Sequence, residues 1–179
     1  MSGKLIGIVF IYAILVFLIA PVLAEESKKA GAGFPEFKLE NLDGEEFTTD
    51  EIFADVDLVL IDFFTYYCKP CRKLWPQISR LQDKYGDRGF KAVMFSEDQP
   101  EGIPLLRTYL GQKNYSFIVL CDVEGEVEEF YGVRAHPTTI LLDSDGNIIY
   151  QHEGYNKGDE EEIEAKIIEY LDGLEKEES

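Results

Sequence analysis

The chain has 179 residues, 45% of them hydrophobic and 13% aromatic, and a net charge of −18 from 35 Asp and Glu against 17 Lys and Arg. That length holds one cored domain plus a leader, and the acidic balance excludes a nucleic-acid surface and opposes docking on anionic lipid; the charge serves mainly solubility. Three cysteines are too few for a disulfide-stapled scaffold, so stability must come from the core and the thiols are available for chemistry.

After Lys4, residues 5–24 (LIGIVFIYAILVFLIAPVLA) form one apolar run. Pro21 breaks it, and Val22 and Ala24 are small residues before Glu25. This is the pattern of a secretory signal peptide; an uncleaved anchor is the rival, because the run is near the length that spans a bilayer. Either way the remaining chain is expected outside the cytoplasm, periplasmic or secreted. Residues 25–33 (EESKKAGAG) are polar and Gly/Ala-rich, as a linker is.

From Phe34 to Phe47 the sequence FPEFKLENLDGEEF alternates Phe37 and Leu39 and turns at Asp43-Gly44, predicting a β-hairpin. Residues 57–64, DLVLIDFF, are almost all apolar, as in a strand covered on both faces. Leu74, Ile78, Leu81 and Tyr85 recur at helical spacing. Pro70 suits that helix's first turn, and Pro76 should kink it. A strand is predicted over 90–95, a helix around Ile103, Leu106 and Leu110, a strand over 116–120 and a short helix over 126–131. Strands over 138–143 and 147–151 flank the turn Ser144-Asp145-Gly146-Asn147. Asp159 with Glu162 suggests a cap for a last helix that buries Ile163, Ile167, Leu171 and Leu174, followed by an acidic tail at 175–179. Strands alternating with helices, then a hairpin, predict a mixed sheet with helices on both faces.

Cys68-Lys69-Pro70-Cys71 falls between the apolar strand and the helix. One CxxC pair cannot supply the four ligands of a zinc site, and Cys121, His136 and His152 are scattered. Haem attachment needs His after the second cysteine, where Arg72 stands. A structural disulfide would close too small a loop to stabilise much. Thiol–disulfide exchange fits best. A helix N-terminus offers free N–H groups and partial positive charge, Lys69 and Arg72 add more, and CxxC thiols there reach pKa values of about 3.5 to 7. Cys68 is the expected nucleophile and Cys71, a turn later, the resolving thiol.

The run IDFFTYYCKPCRKLWP resembles the active-site segment of the thioredoxin superfamily, and the chain resembles the exported TlpA/ResA-like thiol–disulfide oxidoreductases over about residues 34–174. FPEFKLENLDGEEF is similar to that family's N-terminal hairpin, YGVRAHPTTILLDSDGNII to its cis-proline loop and last hairpin, and the segment between Phe95 and Phe117 to its strand–helix insertion. The resemblance implies an α/β thioredoxin-like fold with Pro137 as the cis-proline and Tyr67, Lys69, Pro70, His136, Pro137 and Thr138 as the substrate-facing surface. It implies no cofactor and no metal, protein dithiols or disulfides as partners, often cytochrome c apoprotein cysteines, and a membrane thiol carrier as electron donor. Nothing in the pattern demands a dimer. Tyr67, Lys69 and His136 depart from the usual family residues. Such positions tune the redox potential, and thioredoxin and DsbA differ by about 150 mV, so direction is where the departures matter.

Asp62 inside LVLIDFF is costly to bury unless neutral or paired. Burial should raise its pKa and make it a proton acceptor for Cys71, as for the Asp at the matching place in thioredoxin; the alternative is an outward turn at a strand edge. Glu97 matches a family acid near the cysteines, with Asp98 or Glu101 as rivals and a solvated loop acid as the plain alternative. His136 is expected to face the thiols. Cys121 reads as a buried, inert thiol, Phe63, Phe64 and Trp75 as core or rim, and Tyr66 with Tyr67 as a peptide-binding lip. Three other classes compete: an oxidase or isomerase of exported proteins; a copper carrier using Cys68, Cys71 and His136, though such carriers space their cysteines one residue further apart; and a binding module whose CxxC is incidental.

Overall fold

The computed structural model describes residues 31–177; the apolar run at 5–24 and most of the linker lie outside them. The first hairpin is β1 (Lys38–Glu40) and β2 (Glu46–Thr48), paired antiparallel. The main sheet holds β3 (Leu58–Phe64), β4 (Phe90–Ser96), β5 (Ile118–Cys121), β6 (Thr138–Asp143) and β7 (Ile148–Glu153) in the order β5-β4-β3-β6-β7. β3, β4 and β5 run parallel, while β6 and β7 are antiparallel, which makes the sheet mixed. An isolated bridge from Asn41 to Leu120 ties the hairpin to β5.

All seven residues of β3 are buried, because this central strand is covered on both sides. Leu58, Leu60 and Phe64 face α2 (Lys69–Tyr85) and α5 (Asp159–Glu177), packing with Leu74, Trp75, Ile78, Ile163, Ile167 and Leu171. Val59, Ile61 and Phe63 face the opposite way, against Phe34, Phe37, α1 (Thr49–Phe53) and Val127 of α4 (Glu126–Tyr131). Strand alternation thus sorts one apolar run into two cores.

The helix α3 (Ile103–Leu110) and the edge strand β5 occupy the segment between β4 and α4. α2 continues through Pro76 to Tyr85. The helix α1 was not anticipated, although its signal is present: Thr48 and Glu51 form a reciprocal capping box, with Glu51 Oε2 accepting from Thr48 N at 2.8 Å. α5 runs on to Glu177, so the start of the expected acidic tail is helical, and Arg88 pairs with Asp172 and Glu175 there. Asp159, expected to cap, turns its carboxylate back to Asn156 N (2.6 Å) and His152 Nε2 (3.1 Å). The last residues of the linker segment are already tied in: Gly31 N and Gly33 N donate to Ser144 O and Asp145 O at 2.7 and 2.6 Å. Gly146 in that turn sits at φ 82°, where a Cβ would meet Phe34 N at 2.7 Å, so only glycine fits.

One acid staples α2 to α5. Glu164 accepts from Arg80 through both oxygens (3.2 and 2.8 Å), from Lys84 (2.8 Å) and from Tyr85 Oη (2.9 Å). These donors, Arg80 first, hold its carboxyl down at about 2. A depressed carboxyl contributes stability that is complete above its unfolded value near 4.5 and is lost as the pH falls through about 2. Because Arg80 and Lys84 are about half exposed, Glu164→Gln should cost about 1–2 kcal/mol at pH 7. Urea denaturation at pH 7 and pH 2.5 should show that gap shrinking at the lower pH.

Candidate active site

Cys68 and Cys71 form a disulfide at the start of α2, with Cα atoms 5.3 Å apart. Cys68 occupies the N-cap position, and the Cys71 backbone N–H donates to its Sγ at 3.2 Å. Pro70 sits in the first turn, and that turn carries no acid. Burial splits the pair: Cys68 is partly exposed, while Cys71 is wholly buried in the α2-side core. A thiolate released at Cys68 would therefore meet a helix N-terminus and the cations Lys69 and Arg72.

The loop before Cys68 is held from two sides. Tyr66 N donates to Asp98 Oδ2 at 2.8 Å, and Tyr66 O accepts from Arg72 Nη1 at 2.9 Å. Ser96 Oγ donates to the same Asp98 oxygen at 2.9 Å. The Arg72 guanidinium also lies 5.4 Å from the Tyr66 ring centroid. Tyr66 meets Tyr67 and Tyr109 edge-on, which leaves Tyr67 71% exposed beside Cys68. Of the three acids in FSEDQPEG, Asp98 is the one that fixes this loop.

Asp62 is fully buried, and Thr139 Oγ1 donates to its Oδ2 at 2.6 Å. It does not turn outward at an edge. Its place in β3 puts it on the same face as Leu60 and Phe64, in the layer that also holds Cys71. Burial pushes its carboxyl up to about 8, with the Thr139 bond working the other way. Glu97 follows β4 and lies among Asp122 and Glu128; burial first, and then those carboxylates, raise it to about 9.

The His136–Pro137 peptide is cis. Thr138 pairs with Phe63 across β6 and β3, so this loop lies at the end of the sheet where β3 leads into the cysteines. Thr138 Oγ1 donates to Ala135 O at 2.7 Å, closing the loop on itself. His136 Nε2 lies 3.0 Å from Glu128 Oε1, a partner that the sequence did not single out. Lys69 and Pro70 are exposed. Cys121 is free and half-buried, and burial, ahead of nearby Glu40, raises its thiol. Among the described residues no group of three or more His, Cys, Asp or Glu is placed to hold a metal ion, and no helix is long and apolar enough to cross a membrane.

A helix-capping CxxC, with a cis-proline loop at the same end of a mixed sheet covered by helices on both faces, defines a thioredoxin-fold dithiol–disulfide protein. The Redoxin family model matches residues 29–167, so the chain belongs to that family. It is 28% identical over 147 residues to the thiol-disulfide oxidoreductase ResA of Bacillus thuringiensis subsp. konkukian, covering 82% of this chain and 79% of that one. It is 32% identical over 125 residues to the thioredoxin-like protein YneN of Bacillus subtilis, covering 69% and 71%. Among solved structures, a Chlorobium tepidum protein assigned as thiol:disulfide interchange protein DsbE superposes with a TM-score of 0.69 at 30% identity, over 81% of this chain and 99% of that one. The chain is thus a thiol–disulfide oxidoreductase of the ResA/DsbE type.

Asp62 makes stability pH-dependent. Its unfolded carboxyl ionises near 3.8, whereas the folded one keeps its proton to about 8. Between those values stability falls as the pH rises, by ~1.4 kcal/mol per unit from this group. Asp62→Asn removes that dependence. Its thermal midpoint should exceed that of the parent at pH 7, with the gap closing toward pH 4; a variant less stable at pH 7 would contradict a neutral acid in the fold.

Proposed function

We propose that this protein works outside the cytoplasm as a reductant of disulfides in specific exported proteins, with Cys68 attacking and Cys71 resolving. The observation that carries the assignment is the split of the pair: Cys68 is reachable and caps a helix, whereas Cys71 is sealed in the core. In the reduced protein the Cys68 thiolate attacks one sulfur of a substrate disulfide. A bond forms from Cys68 to that sulfur, the substrate S–S bond breaks, and the second substrate sulfur leaves with the electron pair and takes a proton. Cys71 then loses its proton and attacks Cys68 Sγ. The mixed disulfide breaks, the first substrate sulfur leaves as a thiolate, and the Cys68–Cys71 disulfide remains. Two electrons pass to the substrate, and a dithiol donor must return them; a membrane thiol carrier fits that need.

Asp62 suits the proton on Cys71. A carboxyl that ionises only near 8 is basic enough to take the thiol proton during resolution and return it when the disulfide is reopened. The loop His136-Pro137-Thr138 faces the substrate backbone, with Tyr67, Lys69 and Pro70 on the opposite rim. The direction of transfer rests on the resemblance to the exported TlpA/ResA-like oxidoreductases, which usually reduce their targets. The location rests on the apolar run at 5–24.

Cys71→Ser should freeze the mixed disulfide on Cys68, giving a covalent adduct with an exported protein that dissolves in dithiothreitol. Cys68→Ser should trap nothing. If Cys71→Ser is reactive yet captures no partner, a dedicated substrate is ruled out. A reductant should have a reduction potential below about −230 mV, and one near the DsbA value of about −120 mV would reverse the direction.

The rate of resolution should rise with pH through about 8 as Asp62 ionises. That step should vanish in Asp62→Asn. Stopped-flow following of the mixed disulfide over pH 6 to 9, where the ionised fraction of a group near 8 grows on the order of a hundredfold and the parent's rate should grow with it, checks both.

A further inference from the structure

Behind the cis-proline loop lies a second group of titratable side chains, on the face of the sheet away from α2. Three acids meet there. Asp122, wholly buried, accepts from the backbone N–H groups of Glu126, Val127 and Glu128 at 3.0, 2.9 and 3.1 Å, so its charge is committed to the start of α4. Glu97 lies between Asp122 and Glu128 and holds its proton to about 9; its Oε1 is buried without a protein partner. Glu128 reaches past it to His136 Nε2 at 3.0 Å, with side chains only 29% and 21% exposed.

The fold of α4 does not need the two glutamates, because Asp122 already serves its N-terminus. Placing Glu97 and Glu128 in contact costs desolvation and repulsion, which keeping one of them neutral relieves. What the arrangement gains is a fixed His136. With Nε2 committed to Glu128, ring rotation is blocked and Nδ1 is the atom left for other partners. His136 supplies the carbonyl side of the cis peptide to Pro137. Thr138 fixes the loop from its far end through Ala135 O, and Glu128 fixes it from the near end.

We infer that Glu128 is a positioning residue for substrate binding: through His136 it sets the backbone of the cis-proline loop, with the Glu97 carboxyl packed behind it. This rests on the reading of residues 136–138 as the loop that meets the substrate backbone. Glu128 touches neither sulfur and takes no part in electron transfer, so its removal acts on KM more than on kcat.

The test is steady-state reduction of a synthetic disulfide-bonded peptide with dithiothreitol as electron donor, on proteins whose thermal midpoints have been compared. Glu128→Ala should raise KM about tenfold, the effect of one lost charge-assisted hydrogen bond, with kcat within about twofold. Glu128→Gln, whose amide oxygen still accepts from Nε2–H, should restore most of the affinity. His136→Ala should match Glu128→Ala, and the double variant should be no worse than either single one. Equal losses in kcat and KM, no rescue by glutamine, or additive effects would each overturn the inference while leaving the exchange reaction standing. Failure of the parent protein to reduce the peptide at all would sink the functional reading and the inference with it.

Discussion

A strand with no solvent on either face must be covered from both sides, and β3 imposes that constraint on the whole domain. Its even-numbered side chains need α2 and α5, and its odd-numbered ones need α1, α4 and the N-terminal phenylalanines. Its neighbours, β4 and β6, then bring their own ends to the point where β3 stops. Cys68, Asp98 and the cis-proline loop all gather there. The chemistry sits where it does because the best-buried strand ends there and a helix begins, leaving N–H groups free to face a sulfur.

That constraint also explains why Asp62 is tolerable. A carboxyl in the middle of such a strand survives because it stays neutral and accepts one hydroxyl hydrogen bond from Thr139. An Asn would sit there more comfortably at neutral pH. A carboxyl whose charged form the fold opposes thus lies in the same layer as Cys71, the kind of conflict between stability and chemistry that gathers at functional sites.

Much of this architecture was legible because it depends on local pattern. DLVLIDFF announces a two-faced strand, the spacing of Leu74, Ile78, Leu81 and Tyr85 announces a helix, and the cysteine pair marks the junction between them. Pro137 as a cis-proline was legible only through resemblance, since nothing in AHPTT distinguishes its isomer. The short α1 escaped notice although Thr48 and Glu51 spelled out its cap. The interactions that hold the site were the hardest to foresee. Asp98 looks like any loop acid until β4 carries it beside the Tyr66 amide. Glu128, on α4, and His136, in the loop beyond Gly132, are eight residues apart, and no periodicity announces their contact. Glu97, matched to a family acid, meets Asp122 and Glu128, carboxylates that no local pattern ties to it.

The bonds from Gly31 and Gly33 to the β6–β7 turn have a geometric consequence. β6 begins beside the catalytic end of the sheet at Thr138 and finishes at Asp143, five residues later, a span of roughly 17 Å. Gly31, the first residue described, therefore lies at the pole opposite the cysteines. Were a bilayer to hold the domain at Gly31, it would hang like a lamp from its cord. Its reactive face would point outward, open to proteins arriving from the surrounding space, while any electron donor embedded in the same bilayer would have to reach around the body or wait for it to swing.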